Sequence, residues 1–306
     1  METPQLEANI ELFRWLTSEA DRAEARLLQP ERDWIWFAVW ARYAWSCDRD
    51  RTAEDAFWTR ELGARYGSSE AGRLLLEAYQ RSGEVMPQVI RAFAVTTENY
   101  LASTLGQTLP QLLASKRWYS PPGETIAQYA ENEASGRPHA GPNPLEAAEA
   151  MVRDGQAASV AARRARPLVT KNQAEFERVL SDMEAIGLVA RFYRHKVSAA
   201  IDGLVFLRNK DLKRLDRCVA ELARSVDVYR ELTMLCSRTY LDCAGRHDPG
   251  RRYPYPAPQY LVWADVLPQF EAELALVRQN AEQVRKRSQA LSKPEFSGRF
   301  FTEAVR

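Results

Sequence analysis

Leu212, Leu215, Val219, Leu222, Val226, Tyr229, Thr233, Cys236, Tyr240 and Cys243 follow one another at alternating intervals of three and four residues. Side chains at that spacing share one stripe of an α-helix, here about nine turns long. The segment before it repeats the pattern with Phe176, Leu180, Met183, Gly187, Ala190, Tyr193, Val197, Ala200 and Leu204. Only Asn209-Lys210 lies between the two, and Asp211 is placed to cap the second helix. A connection so short makes its neighbours antiparallel, so residues 171–243 read as a long helical hairpin. Leu267, Phe270, Leu274, Val277, Ala281, Val284 and Leu291 form a third stripe. The run Pro144–Arg166, with Ala147, Met151, Ala158, Ala162 and Ala165, forms a fourth. The expectation is an all-α fold whose C-terminal part, 136–306, is a long antiparallel four-helix bundle.

Residues 1–135 read as a second, Trp-rich helical subdomain with shorter helices. Thr52-Ala53-Glu54-Asp55 opens one helix, Trp58, Leu62 and Tyr66 mark its inner face, and Gly67 ends it. Ser68-Ser69-Glu70 caps the next, with Leu74, Leu75, Ala78 and Tyr79 facing inward. Trp36, Trp40 and Tyr43 are spaced i, i+4, i+7, which predicts a buried helical face and leaves Trp34 and Trp45 for the surface. Two stretches resist helix: Lys116–Glu124, answered after a short helix by Gly136–Pro144, and a Pro-rich loop over 245–263 with Pro249, Pro254, Pro256 and Pro258. No repeat of solenoid length recurs.

Composition narrows the function classes. The 306 residues carry 42 basic against 41 acidic side chains, a net charge of +1, which argues against a nucleic-acid or polybasic membrane binder. The basic complement is 35 Arg and only 7 Lys, and Arg suits bidentate recognition of carboxylates and phosphates. No signal peptide and no apolar run of membrane-spanning length is visible. The expectation is a soluble protein, cytoplasmic as written, with the compartment left open if the chain is a fragment of a secreted parent. Cys47, Cys218, Cys236 and Cys243 match neither a metal pattern nor a dense disulfide framework, and Cys236 and Cys243 fall on the apolar stripe as buried thiols. His139, His195 and His247 are too scattered for a metal site, and His195 reads as a surface or satisfied histidine. No nucleotide, zinc-protease, nucleophile-elbow or di-iron motif occurs, so neither cofactor nor metal is expected.

Two places remain where a ligand could sit. The Pro-rich loop gathers Arg246, His247, Arg251, Arg252 and Tyr255 ahead of Trp263, residue types that would hold an acidic sugar by guanidinium pairing and ring stacking. Trp118 and Tyr119 stand beside the rigid Pro121-Pro122-Gly123-Glu124 turn, with Glu124 and His139 as polar candidates. The plainer reading of the loop is a solvated basic surface pinned by its aromatics. No set of residues forms a credible catalytic constellation.

The stretch Trp40-Ala41-Arg42-Tyr43-Ala44-Trp45-Ser46-Cys47-Asp48-Arg49-Asp50, with Glu54-Asp55-Ala56-Phe57-Trp58 and Arg65-Tyr66-Gly67, resembles the C-terminal helical region that follows the barrel in bacterial α-glucuronidase-like and hexosaminidase-like glycoside hydrolases. Ser120–Glu124, Tyr240–Ala244 and Trp263–Pro268 are similar to stretches of the same multidomain proteins. The resemblance implies an accessory module whose partner, a catalytic barrel domain or subunit, supplies the catalytic carboxylates. This chain has no alternating βα units, so no catalytic acid can be carried over. The expected function is therefore a helical accessory module of a polysaccharide-degrading, glycoside-hydrolase-like protein. It would support a catalytic domain or a homo-oligomer and contact an acidic oligosaccharide, with an exposed apolar patch around Trp34 and Trp45 serving docking. The alternatives are a stand-alone carbohydrate-active enzyme with a site between the two helical halves, and a ligand-free scaffold.

Overall fold

The computed structural model describes residues 33–93, 106–113, 123–240, 263–288 and 298–303. Its elements among these residues are helices, with no β-strand, as the spacing predicts. In chain order they are α1 (Trp34–Trp45), α2 (Arg51–Tyr66), α3 (Ser69–Ser82), α4 (Val85–Phe93), α5 (Leu109–Leu113), α6 (Ile126–Ser135), α7 (Pro144–Ala165), α8 (Gln173–Asn209), α9 (Leu212–Thr239) and α10 (Trp263–Ser288), with 3-10 turns at Arg166–Leu168 and Gly298–Phe301. No described helix is long and apolar enough to cross a membrane.

The hairpin is α8 and α9, of 37 and 28 residues. It turns at Lys210, which takes a left-handed conformation (φ 60°) without being glycine. Its backbone N–H donates to the Phe206 carbonyl and its Nζ to the Leu207 carbonyl at 2.7 Å, so two of the terminal carbonyls of α8 that helix geometry orphans are satisfied. Asp211 then caps α9 by accepting from the Lys213 N–H. The buried stripe of α9 is wider than a two-in-seven seam. Cys218, Ser225, Val228 and Leu232 join Leu215, Leu222, Val226, Tyr229 and Cys236, because α9 packs on α8 and α10 together.

The long helices pack in chain order, α7 on α8, α8 on α9 and α9 on α10, while α7 also carries α3 and α3 carries α2. Each long helix runs antiparallel to the one before. Arg163 pairs with Glu184 and Arg166 with Glu177 across α7 and α8. Tyr240 meets Trp263 at one end of the α9–α10 seam, and Arg285 meets Asp216 at the other. The α7–α8 crossing is closest where Gly155 faces Gly187. A Cβ on Gly155 would stand 2.9 Å from the Gly187 Cα, so small residues set the helix separation there.

Two apolar clusters result. The larger joins α4, α5 and α6 to the middle and C-terminal parts of α8, to α9 and to α10. The smaller joins α1–α3 to the end of α7 and the start of α8, from Ala158 to Met183. Both clusters draw on residues from each side of position 135.

The α1 helix corrects one expectation. Trp36, Trp40 and Tyr43 do share a face, but that face is exposed, and Ile35 is the buried residue of the helix. The physical reason lies in two carboxylates beneath it. Glu54 is buried and takes a bidentate pair from Arg42, both bonds at 2.7 Å, with Arg49 at 3.3 Å. Glu175 takes Arg65 Nε at 2.7 Å, the Tyr66 hydroxyl at 2.8 Å and the Trp34 indole N–H at 3.1 Å. Arg42 and Trp34 must face inward to reach them, so Trp34, expected at the surface with Trp45, is half-buried against the smaller cluster, and the Trp36–Trp40–Tyr43 stripe is turned outward. Glu54, an acid of the first turn of α2, is thus an anchor inside the fold. The cap of α2 also moves: Asp50, not Thr52, accepts from the Ala53 N–H. Gly67 (φ 93°) and Ser68 end α2 and cap α3 as the sequence indicates.

At the centre of the larger cluster lies an ion pair that the apolar spacing conceals. Lys196 on α8 is wholly buried and donates to Glu273 on α10, whose other carboxylate oxygen accepts from the Leu109 N–H at the start of α5. The ammonium also lies 4.4 Å from the Phe270 ring centroid. Burial pulls Lys196 below the ordinary lysine range, and Glu273 opposes that pull. Removing one member of such a pair leaves an uncompensated buried charge. Lys196→Met is expected to lower unfolding free energy by ~3–5 kcal/mol in urea titration. Lys196→Met with Glu273→Gln, which keeps an acceptor for Leu109, is expected to recover most of that loss.

Candidate functional site

The sequence-derived site residues fall into three groups. Trp118, Tyr119, Arg246, His247, Arg251, Arg252 and Tyr255 lie outside the described residues, as does Cys243. Glu124 and His139 are brought together. Trp263 stands elsewhere.

Glu124 and His139 meet because the chain around α6 doubles back on itself. Thr125 and Gln128 form a reciprocal capping box at the start of α6, and Gly136 ends the helix in a left-handed conformation. The returning strand of chain is held by the Glu124 N–H, which donates to the Pro142 carbonyl at 2.9 Å, before Asn143 caps α7. The Glu124 carboxylate closes this loop from inside. It contacts His139 Nδ1 at 2.7 Å and accepts from Asn132 Nδ2 at 2.7 Å and the Ala140 N–H at 3.2 Å. The imidazole stacks on Tyr129, centroids 4.0 Å apart, and its Nε2 lies 3.4 Å from Glu133. Glu133 accepts from Arg214, which also donates to Asp202, so the loop is tied to the tip of the α8–α9 hairpin.

The electrostatics follow from these contacts. Burial pushes the Glu124 carboxyl up, but the bonds from His139, Ala140 and Asn132 outweigh it and hold the group below its usual range. The Glu124 bond, helped by Glu133 and opposed by desolvation, raises the His139 pKa. The pair is therefore an internally satisfied carboxylate–imidazole tie.

Trp263 packs on Tyr240, rings 6.0 Å apart, where α9 has ended. Arg214, which anchors the Glu124–His139 loop, is near the start of α9. At 1.5 Å per residue the two positions lie roughly 39 Å apart along the helix. Glu124 and His139 thus share no site with Trp263.

The described surface holds a larger concavity that sequence reasoning did not single out. A groove of about 1330 Å³ runs between α7, α8 and α9. Glu184, Leu188, Arg191 and His195 form its α8 wall, Arg163 enters from α7, and Thr233, Met234 and Arg238 from α9. Ser159 forms part of the floor, its hydroxyl donating to the Gly155 and Met183 carbonyls. Arg163 pairs with Glu184 at 2.8 Å and Arg191 with Glu231 at 3.1 Å, while Arg194 and His195 both reach Glu221. Arg238 makes a backbone bond to the Met234 carbonyl, and the buried Thr233 hydroxyl oxygen has no hydrogen-bond partner. Four guanidinium groups against Glu184 and Glu231 leave the lining net positive. Helical spacing alone could not find this groove, because its walls come from three helices that meet only in the folded chain.

His195 is satisfied by Glu221 at 2.6 Å, in keeping with its sequence reading. Among the described residues no group of His, Cys, Asp and Glu is placed to hold a metal ion. Cys218 and Cys236 are buried free thiols, and burial pushes Cys236 up to about 12, which removes thiolate chemistry near neutrality.

The arrangement has a solved counterpart. Its helices define a glycoside-hydrolase-like helical fold. The chain superposes on a GH138 enzyme targeting pectin rhamnogalacturonan II with a TM-score of 0.82 and 29% sequence identity, covering 89% of this chain and 41% of that one. It therefore spans about two fifths of that enzyme's length. No family model and no curated protein matches the sequence.

The Glu124–His139 tie has a defined pH window. Because the folded Glu124 pKa is depressed, its contribution is present above the unfolded value of 4.5 and is lost as pH falls through the folded one. Because the folded His139 pKa is raised, its contribution is full below 6.5 and fades as pH rises through the folded value. Hydrogen exchange across residues 136–143, corrected for intrinsic rates, should be slowest between these limits, and His139→Ala should flatten the profile.

Proposed function

We propose that this chain is the helical accessory module of a glycoside-hydrolase-like, carbohydrate-active protein, and that its α7–α8–α9 groove contacts an acidic oligosaccharide while a catalytic domain or subunit performs the cleavage. The observation that carries this reading is the correspondence with two fifths of a pectin-directed GH138 enzyme along nearly the whole of this chain. The groove supports it chemically. Guanidinium groups bind carboxylates in a planar, bidentate manner, and an exposed Met234 beside a half-buried Leu188 offers apolar surface to sugar faces. Glycosidases of the common kind need two carboxyl groups facing each other across an open cleft, one of them free to act on the leaving oxygen. Glu184 and Glu231 in the groove are each held by an arginine, and Glu124 is closed off by three partners.

A second reading, a stand-alone enzyme, is favoured by the short Glu124–His139 contact alone. Incubating the purified chain with rhamnogalacturonan II oligosaccharides separates the two. The accessory reading expects no new reducing ends, whereas turnover abolished by Glu124→Gln would establish the enzyme. Calorimetry with oligogalacturonate is expected to show binding that Arg191→Gln with Arg238→Gln weakens at least tenfold, since a hydrogen bond to a charged group contributes about 1.5–3 kcal/mol.

A further inference from the structure

The α1 helix is built unlike a surface helix. Trp34 to Ala41 contains no charged residue, and Ile35 is the one buried position of the helix. Trp36 is 56% exposed, Trp40 72% and Trp45 89%, with Phe37 and Tyr43 also exposed. At 150–250 Å² per aromatic side chain, the exposed rings present on the order of 600 Å² of apolar surface. That is at the upper limit of the patches soluble monomers leave in water, and such patches mark interaction sites. Specific interfaces begin at about 600 Å² per partner, so this face is large enough for one stable contact.

Its shape says what covers it. With 3.6 residues per turn, Ile35, Val39 and Arg42 point into the fold, and Phe37 and Ala44 point directly away from it. Trp36, Trp40 and Tyr43 make a projecting ridge on one flank. The other flank borders a hollow of about 420 Å³ walled by Trp34, Trp45, Phe57 and Trp58. Ridge and hollow thus lie on opposite flanks of the same helix. Two α1 helices placed side by side and parallel, related by a twofold axis running between them, bring each ridge against the other's hollow. A second copy of the chain fills both features with one contact, which is the self-complementarity an isologous interface requires. We propose that this protein is a twofold dimer joined through α1, with the Trp36–Trp40 ridge of each copy seated beside Trp45 of the other. The inference goes beyond the accessory-module reading and does not depend on glycan binding.

Sedimentation equilibrium of the full chain tests it. At about 10 µM the wild type should be dimeric, and Trp36→Asp with Trp40→Asp should be monomeric. Both side chains project into solvent, so helical content and melting temperature should stay close to wild type. Met234→Asp, in the groove remote from α1, should leave the dimer intact. In a Cys47→Ser background, Ala44→Cys should form an intermolecular disulfide on mild oxidation, because the two Ala44 positions face each other across the axis. A wild-type monomer at this concentration would overturn the proposal. So would a dimer that survives the double aspartate change, or a face occupied only when a different polypeptide is added.

Discussion

The larger core is organised around a charge that cannot leave it. Lys196 has no route to solvent, and the ionic cost of placing an ammonium there amounts to several kcal/mol unless its partners are in position. Glu273 is that partner, and it commits its second oxygen to the Leu109 N–H. One carboxylate thereby fixes three elements, because α10 must sit at one register on α8 and the start of α5 must close over both. Apolar burial, as at Phe192 and Phe270, is a non-directional driving force. The buried ion pair adds directional contacts, from Lys196 and from the Leu109 N–H, to a core otherwise held by area.

The same logic recurs beside the smaller apolar cluster with arginines as the cations. Glu54 and Glu175 each collect several donors, and those donors set the rotation of α1. Outward display of the Trp36 stripe is a consequence of that inward anchoring. The long α8 links the two systems, since it carries Glu175 near its start and Lys196 beyond its middle. The concave face between α7, α8 and α9 lies on the same helix, so groove and core share one rigid support.

The fold class was legible in the spacing of apolar residues from Phe176 to Cys236, and some helix ends in single residues such as Gly67, Ser68 and Asp211. Even Lys196 and Glu273 left a trace. Lys196 lies three residues after Tyr193 and four before Ala200, and Glu273 three after Phe270 and four before Val277, so both charges sit on buried stripes. Glu124 and His139 were named for one place in the sequence, but their direct contact was not legible, because it depends on a loop that returns over α6. The separation of Trp263 from both was fixed by the length of α9, which places the two ends of one helix in different parts of the surface.

By itself, the sequence determined that the chain is helical, where several of its helices begin or end, and which residues share a face, because these follow from local hydrogen bonding and a period near 3.6 residues. Periodicity identifies a face but carries no sign. Whether the Trp36–Trp40–Tyr43 face points in or out was decided only in the tertiary structure, by carboxylates contributed from Glu54 on α2 and Glu175 on α8. The groove, the buried ion pair and the aromatic display all arise from residues distant in sequence, and only the packing of the helices brings them into one place.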